Sequence, residues 1–326
     1  VTVRAGGVFD LNGYPCAQAV TLDGGTLANT EPPLVASLNL NSGSGKLGAS
    51  DVGGLVPMRG EYWTNVTATS GSTPLDFVEQ PSIAVSGASK RTEGSISWSA
   101  SHWSRGTNTT AFMKGYLDDG SSDFGKYLTL TLPPVLAARA YDVYYYSNTD
   151  YGSGYDKGQF AYHAVSEDDG ATLYYTYVDG ALAEGTTAWG DIATGVSTLA
   201  EGVNVMVLRD RTAESLKYGI MKRGNTRGCL SAVQVVVGKA VYSGALTVRS
   251  ASTLRGAEGA SLTVKGATVS GAGNLSAEGA VTVTDTAWGT RRLIAASGTL
   301  TLGAGNDLAS AQLESLTGAT AAVQSG

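Results

Sequence analysis

The chain carries a short apolar–polar–apolar triplet that recurs near both ends and is absent between. Near the start it reads Val1-Thr2-Val3, Val20-Thr21-Leu22 and Leu38-Asn39-Leu40, with spacings of 19 and 18 residues. Near the end it reads Leu246-Thr247-Val248, Leu262-Thr263-Val264, Val281-Thr282-Val283 and Leu300-Thr301-Leu302, with spacings of 16, 19 and 19. Alternation of this kind predicts a short strand with two side chains on one face. Gly, Ala, Ser, Asn and Asp fill the stretches between, where tight turns belong. Such a unit cannot bury its apolar face alone. Stacked coils can, by setting like residues above one another.

Between residues about 41 and 240 the period disappears and the texture changes. Longer alternating runs follow one another: Ser95–Ser99, Tyr127–Leu132, Tyr141–Tyr146, Ala171–Tyr177, Val203–Leu208 and Leu230–Val237. Asp119-Gly120, Asp169-Gly170 and Asp179-Gly180 mark turns between them, and no long helical period occurs. The expected fold is all-β: a right-handed parallel β-helix, with coils of about 20 residues, interrupted by an inserted jelly-roll-like β-sandwich. The expected domains are N-terminal coils over 1–50, the insert over 51–238 and C-terminal coils over 239–326. Terminal coils of such a helix have unpaired edges, which invite further coils or a second subunit.

Two resemblances sharpen this. The segment Val1-Thr-Val-Arg-Ala-Gly-Gly-Val-Phe-Asp-Leu-Asn-Gly13, followed by Leu22-Asp-Gly-Gly-Thr-Leu-Ala-Asn-Thr30, resembles the passenger repeats of bacterial autotransporters and autotransporter-like surface proteins. That likeness implies a β-helical scaffold and says little about a ligand. In the insert, Gly54-Leu-Val-Pro57, Tyr62-Trp-Thr-Asn65, Gly115-Tyr-Leu-Asp-Asp-Gly120, Tyr141–Tyr146 and Arg227-Gly-Cys-Leu-Ser-Ala-Val-Gln-Val-Val236 together resemble a module of secreted planctomycete and verrucomicrobial proteins. No catalytic residues come with that module.

Composition narrows the function classes. Net charge is −6 and charged residues are only 15%, so the basic stripe of a nucleic-acid binder is missing. No apolar run reaches the 18 or more residues of a membrane-spanning helix. Cys16 and Cys229 fall in different expected domains and read as two free thiols or as a bridge between domains. With only two histidines, His102 and His163, the ligand clustering of a zinc centre is not visible. The chain begins with Val1, already inside the repeat, and reads as a mature or excised piece of a longer protein.

Two clusters carry candidate chemistry. Asp118, Asp119 and Asp123 offer oxygen ligands for a structural Ca²⁺ ion, with Glu167-Asp168-Asp169 a lesser group. Tyr144, Tyr146, Asn148, Asp150, Tyr151 and Tyr155 mix rings, amides and carboxylates, as sugar-binding surfaces do. No other cofactor is expected. No nucleophile elbow or triad is legible, and the coil strands carry Thr or Asn where a solenoid lyase needs charge. The function expected is therefore a non-catalytic, secreted or cell-surface bacterial protein. Its β-helical stalk displays a sandwich module that binds a glycan or a surface protein. The alternatives are a fibre subunit, self-associating through its β-helix ends, and a carbohydrate-active enzyme.

Overall fold

The computed structural model describes residues 1–40, 46–100, 102–105, 115–119, 128–146, 161–168, 176–178, 181–183, 205–222, 228–289, 291–307 and 311–324. It is nearly all strand, and it divides into two compact units, Val1–Pro33 with Val237–Gly326, and Leu34–Val236.

The first unit is a β-solenoid with three parallel sheets. On its first face Thr2–Arg4, Val20–Asp23, Leu246–Ser250 and Val269–Ser270 pair in that order. On its second face lie Val8–Asp10, Thr26–Asn29, Ser252–Gly256, Leu275–Glu278, Arg292–Ala295 and Gln312–Ser315. On its third lie Ala240–Tyr242, Ser261–Lys265, Ala280–Thr284, Thr299–Leu302 and Thr320–Val323, with Cys16 bridged to Tyr242 ahead of them. Each coil visits the faces in this order, so the six-stranded second face counts six coils among the described residues.

The apolar triplets do the expected work on two faces. Val20 and Leu22 lie under Leu246 and Val248 on the first. Leu262, Val281 and Leu300 stack on the third, with Val264, Val283 and Leu302 as a second column. These residues are at most 1% exposed and belong to one core cluster with Leu27, Leu254, Leu275, Leu293 and Trp288. Burial of each such side chain contributes about 1.5–3 kcal/mol. The middle threonines face outward: Thr263, Thr282 and Thr301 are in register. The spacing of 16 between Leu246 and Leu262 is therefore not a coil repeat. It is the distance between two faces of one coil.

The insertion point is resolved to a single corner. Coil two holds Val20–Asp23 and Thr26–Asn29, then leaves the solenoid and supplies its third-face strand, Ala240–Tyr242, only on return. Val20 and Leu246 pair although 226 residues apart; the second unit takes 203 of these, leaving a step of 23. The next step on that face, Leu246 to Val269, is also 23. Removing the insert in thought restores an ordinary coil. Asn29 holds this corner: its Oδ1 accepts from Gly13 N at 2.8 Å in the coil before, and its Nδ2 donates to Ser261 O at 3.0 Å in the coil after.

The chain rejoins at a glycine. Gly238, Gly259, Gly279, Gly298 and Gly318 each stand one or two residues ahead of a third-face strand, and all have positive φ (62° or more). At Gly279 a Cβ would lie 1.9 Å from Gly256 O of the neighbouring coil. The bend thus requires both left-handed backbone and an absent side chain. Later coils thin on the first face to single bridges at Ala287 and Asp307. There the buried Arg291 substitutes for a strand, donating to the carbonyls of Trp288, Ser270, Val269 and Gly271. Desolvation lowers the pKa of its guanidinium from the usual value.

The second unit is built on a ten-stranded sheet. Its order is Ala161–Ser166, Ser215–Lys222, Leu128–Thr131, Arg91–Ser99, Ser70–Glu79, Leu34–Asn39, Ala232–Val237, Tyr141–Tyr146, Val205–Arg211, with Trp63–Asn65 pairing Leu34–Asn39 in parallel. Leu38-Asn39-Leu40 therefore belongs to a central sheet strand and not to a third coil, which corrects the expectation for this triplet. All six residues of Leu34–Asn39 are buried, as befits a strand covered on both faces. The boundaries fall at 33/34 and 236/237, inside the expected 50/51 and 238/239. Leu40 N bonds Ser231 O at 2.8 Å, just past one strand and just before the other, so Leu34–Asn39 and Ala232–Val237 run antiparallel. The first and last strands of the insert are thus neighbours, and its two chain ends lie a strand spacing apart.

The sheet bends back on itself. Tyr145 and Tyr218 stack with centroids 4.3 Å apart and planes at 11°. Their strands are six places apart in the order, about 29 Å in a flat sheet at ~4.8 Å per strand. Arg211 and Glu167, at opposite edges, approach to 3.8 Å. Smaller sheets join His102–Arg105, Gly115–Asp119 and Gly228–Leu230, and also Thr176–Val178 with Ala181–Ala183.

Two outcomes follow from this architecture. A chain in which a short Gly/Ser turn replaces residues 34–236 should keep a β-rich circular dichroism spectrum and melt cooperatively; an unfolded product would show that coil two does not close without its insert. Gly279→Ala should lower stability to chemical denaturation by about 2 kcal/mol or more, from the strained φ and the clash with Gly256 O.

Candidate functional site

Several motifs scattered along the insert meet at one buried polar network. It starts from Gln234, which sits on Ala232–Val237 with no exposed surface. An amide in such a place must satisfy two donors and one carbonyl oxygen internally. Its Nε2 donates to Ser37 Oγ and to Val56 O, both at 2.9 Å. Its Oε1 accepts from the Tyr146 hydroxyl and, at 3.4 Å, from Val56 N. The Tyr146 oxygen in turn accepts from Leu55 N at 2.8 Å. Gly54 (φ +98°) completes the approach: a Cβ there would lie 2.5 Å from Gln234 Oε1.

Around this network the segment 46–66 is held over the sheet. Trp63 Nε1 donates to Met58 O at 3.2 Å. Asn39 Nδ2 donates to Asn65 Oδ1, and Asn65 Nδ2 to Trp63 O, both at 3.1 Å. The Tyr62 hydroxyl donates to Val85 O and accepts from Ala88 N. Val35, Val56, Met58, Tyr62, Trp63, Val78, Tyr144, Tyr146 and Val205 pack as one apolar cluster beneath. Gly54–Pro57, Tyr62–Asn65, Tyr141–Tyr146 and Ala232–Val236 thus act as one structural unit.

This placement decides what two of the candidate sugar-binding residues do. Tyr146 is fully buried and Tyr144 nearly so. The Tyr146 ring meets Trp63 edge-on, with centroids 6.5 Å apart, and burial pushes its phenol pKa far up. Neither ring offers a free stacking face, because alternation in Tyr141–Tyr146 is replaced by burial on both sides. Asn148, Asp150, Tyr151 and Tyr155 lie outside the described residues, as do Asp123 and Asp169.

The candidate calcium ligands are separated by strand geometry. Asp118 and Asp119 are consecutive in Gly115–Asp119, and consecutive strand residues face opposite sides of a sheet. Glu167 instead approaches Arg211, and Asp168 accepts from Ser166 Oγ at 2.8 Å. Cys16 is a free thiol packed against the solenoid core. Among residues with described side chains, no three His, Cys, Asp or Glu gather as metal ligands. Sequence reasoning found the strands that carry Gln234 and Tyr146 but not their junction. The usable signal was an isolated Gln within the apolar run Ala232–Val237, since a lone amide there needs partners.

Tyr146→Phe leaves the Leu55 amide unpartnered and should cost about 1–3 kcal/mol in urea unfolding. Gln234→Leu strands more groups and should cost more. Unchanged midpoints for both variants would remove the network from the stability of this unit.

Searches of protein-family models, curated proteins and solved structures returned no match to the chain.

Proposed function

We propose that this is a non-catalytic bacterial surface protein, in which the solenoid is a stalk and the insert is the module it displays for adhesion to a glycan or another protein. The observation that carries this reading is the splice itself. A 203-residue unit leaves one corner of one coil and returns to it while the coil step stays at 23 residues. A scaffold that accepts a large module without altering its own repeat suits presentation. Its outward columns support the same reading: Thr263, Thr282 and Thr301 on the third face, and Thr21 and Thr247 on the first.

The finer fold belongs to this proposal. The coils are taken as right-handed, since parallel crossovers in one sheet have that hand almost without exception. The insert is taken as a jelly-roll-like sandwich, supported by the Tyr145–Tyr218 stack between distant strands. Secretion fits a chain whose surface relies on Thr, Ser and Gly rather than charge. A second reading, coil-on-coil assembly into a fibre, is favoured by exposed Leu313, Leu316 and Val323 in the sixth coil.

Binding to a glycan array, compared between the full chain and the chain lacking residues 34–236, tests the display reading. Binding confined to the full chain is expected. Absence of glycan binding together with ordered filaments by electron microscopy would replace it with the fibre reading.

A further inference from the structure

The small three-stranded sheet of the insert sets three chemically distinct residues in one row. Gly115–Asp119 is its middle strand, paired antiparallel with His102–Arg105 on one side and Gly228–Leu230 on the other. In this register Asp118 is opposite His102 across one ladder and opposite Cys229 across the other. Directly opposed residues share a face, with Cα atoms about 4.5–5.5 Å apart, so the row spans about 10 Å.

The adjacent row settles which face this is. Leu117 is opposite Trp103 and Leu230, and Leu117 and Leu230 have no exposed surface. That row is the core side. His102, Asp118 and Cys229 therefore occupy the opposite side. Asp119 falls with the core row, opposite Gly228, so the acidic pair in this strand does not share a face.

The row combines an imidazole, a carboxylate and a thiol. Oxygen-only chemistry of the calcium kind has no use for sulfur or ring nitrogen, whereas the zinc class takes all three donors. The order along the row bears on this too. Asp118 separates His102 from Cys229, so the thiol has a carboxylate as its near neighbour and the imidazole a full strand further away. A carboxylate beside a thiol opposes thiolate formation. That is a poor arrangement for a nucleophile, but a divalent cation reverses it, because the ion stabilises both anions together. We propose that the row His102–Asp118–Cys229 binds one divalent transition-metal ion of the zinc class. Three protein donors leave a tetrahedral position for water or another ligand.

The test is a titration of the full, reduced chain with Co²⁺. One equivalent should produce thiolate-to-cobalt absorption in the near ultraviolet, and Zn²⁺ should displace it. Cys229→Ser should abolish the band and Cys16→Ser should leave it intact. His102→Ala should weaken binding at least about tenfold, in line with the loss on removing a supporting metal-site group. A measurement on the unaltered chain stands beside these: Zn²⁺ should protect one of the two thiols, Cys229, from alkylation. Absence of the band, a band that disappears with Cys16→Ser, binding unchanged in His102→Ala, or Ca²⁺ binding in place of Co²⁺ would each overturn the proposal.

Discussion

The pairing of Leu34–Asn39 with Ala232–Val237 is the constraint on which the rest of the chain depends. These are the first and last strands of the insert, and they lie side by side and antiparallel. A 203-residue segment would otherwise have to bring its ends together at an entropic cost that grows with length. Here the ends are closed by the core of the insert itself. The departing and returning strands stand about 4.8 Å apart, a separation that one corner of one coil accommodates. Coil two can then supply its first two strands before the excursion and its third afterwards, and its neighbours on either side stack as though nothing intervened.

Corners carry this arrangement because columns cannot. On the faces, each apolar side chain sits above and below its counterparts, as with Leu262, Val281 and Leu300. A residue added there would turn every following side chain to the opposite face. At the corner ahead of the third face, by contrast, the requirement is only a left-handed glycine and close backbone approach, as at Gly279. Length there is free within the limits of closure. The high Gly content of the chain has its physical reason at these bends.

Much of the solenoid was legible because its coils repeat a local pattern: apolar–Thr–apolar predicts both the strand and the face of each side chain. The insert was legible as strands for the same reason. Its boundary was not. Leu38-Asn39-Leu40 has the form of a coil triplet at nearly the right spacing, and only the partner strand tells a sheet centre from a coil. The buried network was half visible, since Gln234 in an apolar run demands partners, but Ser37, Val56 and Tyr146 come from segments up to 197 residues away. The row of His102, Asp118 and Cys229 was invisible for the same reason. Ligand spacing along the chain is informative only when local turns gather the ligands, and here two ladders gather them.

The two units also divide their polar chemistry differently. In the solenoid, buried polar groups such as Asn29 and Arg291 bond backbone of adjoining coils and repair the stack where strands are missing. In the insert, Gln234 bonds side chains and backbone from distant segments, pinning a long connection over the sheet. The first kind is set by a neighbour one coil away and survives replacement of the insert. The second is closed within the insert and does not draw on coil stacking. Neither unit therefore needs the other's residues to satisfy its own buried groups at these points. That independence lets substitution alter what the insert binds while the coil register stays fixed, which is the physical basis for reading one unit as scaffold and the other as the part that varies with function.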